Sequence, residues 1–264
     1  MTIVHLIGTG DFAGTERMVV TICQGQVQRG HQVAVVLRQR GRIEEFLRRE
    51  GIEILGPRIG PMSAPWHVAR ECRRRGVNVL HSHLTSGTHV ANAVSLLTGI
   101  PVVDHLHVYN RDISHVIASR FGRLIAVSQH TKEYYESRRY MKRSSIDVVP
   151  NASPILSEQD AGMQPATARR VVAEELRLPI DTPFITLAAR VTEQKGQDIF
   201  VQAAEKVLMA RPDTHFLIAG SVEDAAFVTS LKDDIMARGI GGNVHILGFR
   251  TDVARLLRAS VMAV

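Results

Sequence analysis

The sequence predicts an α/β protein with two doubly wound parallel sheets, and three observations carry that expectation. Short apolar runs alternate with amphipathic stretches of helical period along all 264 residues, the pattern of strands buried on both faces under crossover helices. The alternation is broken once, over residues 151–167, where Pro154, Pro165 and two serines stand without apolar periodicity, directly after Pro150. The length exceeds a typical domain of about 100–200 residues. The expected division is therefore an N-terminal domain over 1–155 and a smaller one over 156–264.

Before the break, strands are expected over 2–7, 32–37, 52–55, 77–82, 101–107, 124–127 and 146–149. Helices are expected over 18–28, 43–50, 66–75, 87–97, 113–120 and 131–138. Val19, Ile22, Cys23 and Val27 share one helical face, and Gly30 and Gly99 stand where helices close. Arg73, Arg74 and Arg75 fall in a last turn, where cations suit the helix dipole. After the break, helices over 171–176, 199–210, 225–237 and 253–258 alternate with strands over 184–188, 215–219, 244–247 and one from 260 onward. Both halves read as Rossmann-like domains.

Composition narrows the function classes. Hydrophobic residues make up 45% of the chain, enough for sizeable cores. No apolar run approaches the roughly 20 residues that span a bilayer. The N-terminus reads as a strand, not a signal peptide. Cys23 and Cys72 give no disulfide framework, so the expected location is the cytoplasm. The net charge of +6 is uneven: residues 1–160 hold 20 Lys/Arg against 14 Asp/Glu, and residues 161–264 hold 12 against 12. A basic first half suits an anionic ligand or peripheral contact with an anionic membrane at its inner face. Solvated helix ends would account for the same clusters. Nucleic acid is not expected, because one Trp and no aromatic residues interleaved with the cations give no stacking platform.

Ligands of doubly wound sheets bind at the carboxyl ends of the strands. The residues in question are 8–16, 82–86, 107–111, Ser128, Asn151, 190–195, 220–221 and 248–249. The 190–195 loop is the most informative. Arg190 and Lys195 precede a helix that starts near Gly196-Gln197. A helix N-terminus offers free N–H groups, Arg forks onto phosphate oxygens and Lys adds a point charge. The first loop carries Gly8 and Gly10, but its third glycine, Gly14, comes one residue late for a dinucleotide fingerprint. Arg38 follows the second strand where an acid would hold a ribose, although an Arg suits a 2′-phosphate. An NAD(P)-linked oxidoreductase therefore stays open as an alternative. Six of the 12 histidines lie between 81 and 115. His81 and His83, like His105 and His107, are two apart and face the same way on a strand. Either pair could ligate a metal, but no Cys or carboxylate completes a set. The expectation is no metal, with one His of each pair packed and the other lining the crevice. Glu16 and Glu193 are read as loop carboxylates without an assigned role.

Taken in order, these strand ends resemble the retaining glycosyltransferases of the GT-B fold, family four, which use nucleotide sugars. Ala13-Gly14-Thr15-Glu16 resembles the family's Gly-Gly-Ala-Glu loop. Val79-Leu80-His81-Ser82-His83 is similar to its "D-V-V-H-x-H" strand end, and Pro101-Val102-Val103 with His107 to "P-V-V-x-T-x-H". Ala126-Val127-Ser128, Val148-Val149-Pro150-Asn151, Leu217-Ile218-Ala219-Gly220 and Leu247-Gly248-Phe249 match later strand ends. Ala189-Arg190 with Lys195-Gly196 resembles "G-R-L-x-x-x-K-G", the most specific of the set.

The resemblance implies two Rossmann-like domains facing across a cleft. It implies a transfer of sugar from a nucleotide-sugar donor to a glycan, lipid or small-molecule acceptor with retention, as in cell-envelope polysaccharide or lipopolysaccharide synthesis. Arg190 and Lys195 would hold the donor diphosphate, and His107 would be the catalytic residue reaching the donor sugar. Gly14, Thr15 and Glu16 would form the acceptor and donor loop, and His83, Ser128, Asn151 and Gly220 would line the cleft. No cofactor or metal is implied. Ala13, Ala152, Asp104 and Leu106 depart from the family pattern. The family's E-x7-E segment belongs just after the strand begun at Ser260, so the second domain is expected to be incomplete. A non-catalytic nucleotide- or sugar-binding remnant is the corresponding alternative.

Overall fold

The computed structural model describes residues 1–8, 14–39, 41–55, 64–138, 141, 146–152 and 162–264. The chain forms two compact units, Met1–Ile155 and Leu156–Val264.

The first unit is a seven-stranded parallel sheet. Its strands are β1 (Thr2–Ile7), β2 (Gln32–Leu37), β3 (Glu53–Leu55), β4 (Val79–His83), β5 (Val102–Leu106), β6 (Gly122–Ala126) and β7 (Ile146–Val148), in the order β3-β2-β1-β4-β5-β6-β7. The order reverses at β1, so the crossovers fall on both faces. On one face α1 (Gly14–Gln28) and α2 (Arg42–Arg49) cover Ile7, Val35 and Leu37. On the other, α3 (Ala64–Arg74), α4 (Leu84–Thr98) and α5 (Ile113–Phe121) cover Leu6, Leu80, Leu106 and Leu124. The last helix of this unit among the described residues is α6 (Gln129–Glu136). Asp112 caps α5 by accepting from the Ser114 N–H at 2.7 Å, and Gly99 closes α4 in the left-handed conformation.

The second unit has a four-stranded parallel sheet of β8 (Phe184–Ala188), β9 (His215–Ala219), β10 (Val244–Gly248) and β11 (Ser260–Ala263), in the order β10-β9-β8-β11. Alternation along β9 splits its core. Phe216 and Ile218 pack with α8 (Gln197–Ala210) and α9 (Ala225–Ala237), and Leu217 and Ala219 with α7 (Pro165–Leu176) and α10 (Val253–Ala259). The Phe200 and Phe216 rings meet edge to face at 5.6 Å, a contact worth about 0.5–1.5 kcal/mol beyond burial.

The elements follow the expected order, with two shifts that matter for the site. Helix α1 begins at Gly14, not at 18, so Gly14, Thr15 and Glu16 form a first turn and not a loop. An acid in the first turn faces the positive end of the dipole, which explains Glu16 there. Helix α7 begins at Pro165, inside the expected break, because proline suits the first helical position. A 3-10 turn, Glu193–Lys195, precedes α8, which starts at Gln197 as the loop indicates and two residues before the apolar run over 199–210.

Candidate functional site

In the second unit, the segment after β8 is held by the segment after β9. Val191 pairs with Val222 in a parallel bridge, and its N–H donates to the Ser221 carbonyl at 2.9 Å. Gly220 permits this approach, since a Cβ there would stand 1.8 Å from the Ala189 carbonyl oxygen. Gly220 is thus a backbone requirement of the loop. Gln197 is fully buried, and its Nε2 donates to the Arg190 carbonyl at 2.8 Å. Gly196, at φ +67°, turns the chain from the 3-10 turn into α8. Together these contacts present Arg190 and Lys195, both exposed, beside a helix N-terminus.

Arg190 has a partner that sequence reasoning missed. Its Nη1 donates to both carboxylate oxygens of Glu223, at 2.8 and 3.1 Å. The two side chains are 45% and 37% exposed. Surface pairs of this kind are worth about 0–1 kcal/mol, so another anion can take the guanidinium from Glu223 at little cost. Glu193 is exposed on the 3-10 turn.

In the first unit, five histidines form one array on the face that carries α1. Strand register makes it: His5 lies beside His81 and His83 beside His105, and residues two apart share a face. Ring centroids of His81 and His83 are 4.4 Å apart, and those of His105 and His107 4.2 Å. His5, His81, His83 and His105 are buried, and His107 is half-buried. Of His105 and His107 one ring is packed and the other half-buried, as expected; His81 and His83 are both buried, which corrects the expectation that one of them lines a crevice. His83 is fully buried in the array and is not an exposed lining residue, because the His5, His81 and His107 rings pack against it.

A hydrogen-bonded chain fixes the tautomers. Gln26 Oε1, an acceptor, is 2.8 Å from His5 Nε2, so His5 donates there and keeps a lone pair on Nδ1. His83 Nε2 then donates to His5 Nδ1 at 2.9 Å, and His107 Nε2 donates to His83 Nδ1 at 3.0 Å. His107 Nδ1 is left with its lone pair. Desolvation holds the rings neutral: His5 and His107 are pushed down to about 4 and His105 to about 3. His81 and His83 are also pushed well down, first by desolvation and then by their neighbours. On the opposite face, buried Asp104 accepts from Ser82, Thr88 and His115, each at 2.7 Å. Asp104 thereby holds β4, α4 and α5 together.

A cavity of about 540 Å³ opens at the carboxyl ends of β1 and β2, with Leu37, Arg38, Thr85, Ser86, His89 and Asn110 in its wall. Its size suits a small-molecule or sugar ligand. Thr85, Ser86 and Asn110 lie in stretches that the strand-end rule singles out, and Arg38 is the cation read at the end of the second strand; His89 is added by the fold. Ser128 caps α6, accepting from the Thr131 N–H at 3.0 Å, and Asn151 is exposed beyond β7. Glu16 is buried in the first turn of α1, which corrects its reading as a loop carboxylate, and residues 9–13 lie outside the described residues. The arginine cluster is committed locally. Arg73 donates to the Leu97 carbonyl, Arg74 pairs with Glu71, and Arg75 pairs with Glu53 at 2.6 Å and with Glu71 at 2.6 Å. Arg139, Lys142 and Arg143 lie outside the described residues. Among the described residues, no helix is long and apolar enough to cross a membrane.

A seven-stranded parallel sheet followed by a second parallel sheet with cations at a strand end is the fold of the GT-B glycosyltransferases. Anabaena HepE in complex with UDP-glucose superposes with a TM-score of 0.83 over 100% of this chain and 73% of its own, at 19% identity. A glycosyltransferase from Rickettsia africae gives a TM-score of 0.81 over 99% of this chain and 72% of its own, at 18% identity. The chain belongs to Glycosyltransferase Family 4, whose model matches residues 12–153, and residues 169–264 match Glycosyl transferases group 1. Among curated relatives, the D-inositol 3-phosphate glycosyltransferase of Xylanimonas cellulosilytica is 25% identical over 75% of this chain. The lipopolysaccharide core biosynthesis mannosyltransferase LpsB of Rhizobium meliloti is 26% identical over 55%. The chain spans 56% and 39% of the length of these two relatives.

Proposed function

We propose that this chain provides the acceptor side and the donor-diphosphate site of a nucleotide-sugar-dependent glycosyltransferase that transfers with retention. The observation that carries the reading is the pair of exposed cations, Arg190 and Lys195, at the end of β8 beside the N-terminus of α8. As the bond to the sugar breaks, negative charge grows on the departing diphosphate. Preformed cations bind that state better than the ground state, which lowers the barrier. This role needs no metal at the diphosphate. His107, neutral and half-buried with its Nδ1 lone pair unused in the chain, is the residue proposed to reach the donor sugar. The cavity with Arg38 and His89 in its wall is the proposed acceptor site. The excess of 20 cations over 14 anions in residues 1–160 suits an anionic glycan or lipid-linked acceptor, met at the cytoplasmic face of a membrane. The names of the inositol-phosphate and lipopolysaccharide relatives favour the same classes.

Calorimetric titration with UDP-glucose, GDP-mannose and NADPH tests the reading. Saturable binding of a nucleotide sugar, with none of NADPH, is expected. Binding of NADPH alone would return the first loop to the oxidoreductase alternative.

A further inference from the structure

We propose that Gln26, His5 and His83 are positioning residues for His107, holding its ring in the tautomer whose Nδ1 accepts a hydrogen bond; the proposal rests on the reading of His107 as the residue that meets the donor sugar. The four side chains come from α1, β1, β4 and the position after β5. His5 Nδ1 and His83 Nε2 are 2.9 Å apart with ring centroids 5.2 Å apart, and His83 Nδ1 and His107 Nε2 are 3.0 Å apart with centroids 5.3 Å apart. Rings whose nitrogens are this close reach such centroid separations only when both nitrogens lie close to the line between the centroids. Each N–H therefore points along its bond, the geometry of a strong hydrogen bond. These contacts run end to end, unlike the face-to-face His105 and His107 rings at 4.2 Å.

A row of neutral imidazoles joined in this way has two states. Every N–H points toward Gln26, or every N–H points away from it, because each contact holds a single proton. Turning one ring's tautomer turns them all. Burial keeps His5, His83 and His107 neutral, so the row carries no extra proton to break the pattern. Gln26 Oε1, 2.8 Å from His5 Nε2, can only accept, and it selects the first state. The far end of that state is a bare lone pair on His107 Nδ1. A lone pair there accepts from a hydroxyl and repels a carboxylate, so the donor sugar presents a hydroxyl to it. The row ends at an amide, which takes up no proton, so it orients His107 and does not conduct protons away from it. Gln26 is half-buried on α1, which leaves it open to substitution.

The test is nitrogen-15 NMR of the full chain labelled at histidine, near pH 7, with the His107 signals assigned by their loss in His107→Gln. The wild-type His107 should show a bare Nδ1 and a protonated Nε2. Gln26→Lys, which can only donate, should reverse the row and put the proton on His107 Nδ1. Gln26→Leu, which can neither donate nor accept, should leave both tautomers populated. A packing role alone would move neither signal. A protonated Nδ1 in the wild type, or an unchanged His107 tautomer in Gln26→Lys, would overturn the proposal. If circular dichroism shows that Gln26→Lys does not fold, Gln26→Leu decides in the same way. Adding UDP-glucose tests the reading beneath the proposal. It should move the wild-type Nδ1 signal upfield, the sign of an accepted hydrogen bond, by more than UDP does. No such shift, with the tautomer still reversed by Gln26→Lys, would remove His107 from the donor sugar and leave its positioning by Gln26 upheld.

Discussion

At the carboxyl end of β8 the nitrogens that matter are charged and in water, whereas along β1, β4 and β5 they are neutral and stacked away from it. Arg190 keeps one exchangeable partner, Glu223, at the surface. The histidines keep one another, through a chain that starts at Gln26 and ends at His107. The difference teaches how one architecture prepares two kinds of strand end. At the strand end proposed for the diphosphate the charge is ready and solvated, so that binding would exchange a weak pair for a strong one. A neutral array is built by burial, and its chemistry depends on lone pairs whose direction is fixed by tautomer.

The comparison predicts a contrast in acid, and this is the largest effect expected. Rings pushed down in the fold stay neutral while the unfolded chain protonates near 6.5. Their contribution to stability is complete above pH 6.5 and falls as the pH drops below it. The loss stops growing once the pH passes the folded values, about 4 for His5 and His107 and about 3 for His105. At pH 5 each ring held neutral costs on the order of 2 kcal/mol, from about 1.4 kcal/mol per pH unit. Carboxylates such as Glu53, Glu71 and Glu175, held low by hydrogen bonds from arginines, stay ionised over this interval. Thermal unfolding in chelator should therefore show a melting temperature that falls steadily from pH 7 to 5. A flat profile would mean that the array is hydrated and that the contrast is false.

The smaller effect sharpens the other side. Glu223→Gln frees Arg190 without removing it. Because the exposed pair is worth about 0–1 kcal/mol, UDP should bind up to about fivefold more tightly, measured by calorimetry. Weaker binding would show that Glu223 positions the guanidinium and does not merely occupy it.

Much of this fold is legible in the sequence because strands buried on both faces are continuously apolar and the crossovers are periodic. Strand β8 and helix α9 fall where their runs of residues place them, and the Arg190-Lys195 loop is legible because its residues are contiguous. Starts of helices are less so. Gly14 and Pro165 begin helices that apolar spacing starts later, since first turns are set by dipole and proline geometry and not by a buried face. Long-range partners are hidden altogether. Nothing local ties Glu223 to Arg190, or His5 and Gln26 to His83; register between β1, β4 and β5 decides the second. The two-residue spacing of the histidines was the available signal, and applying it across neighbouring strands would have found the array.

The proposed function rests on Arg190 and Lys195 binding a nucleoside diphosphate through its phosphates. The most direct measurement is calorimetric titration of the chain, Arg190→Ala and Lys195→Ala with UDP and GDP, each beside its nucleoside. Each substitution should weaken diphosphate binding by about 10- to 100-fold, the scale of a charged hydrogen bond, and leave the nucleoside unaffected. Equal losses for diphosphate and nucleoside, or no loss for either, would contradict it.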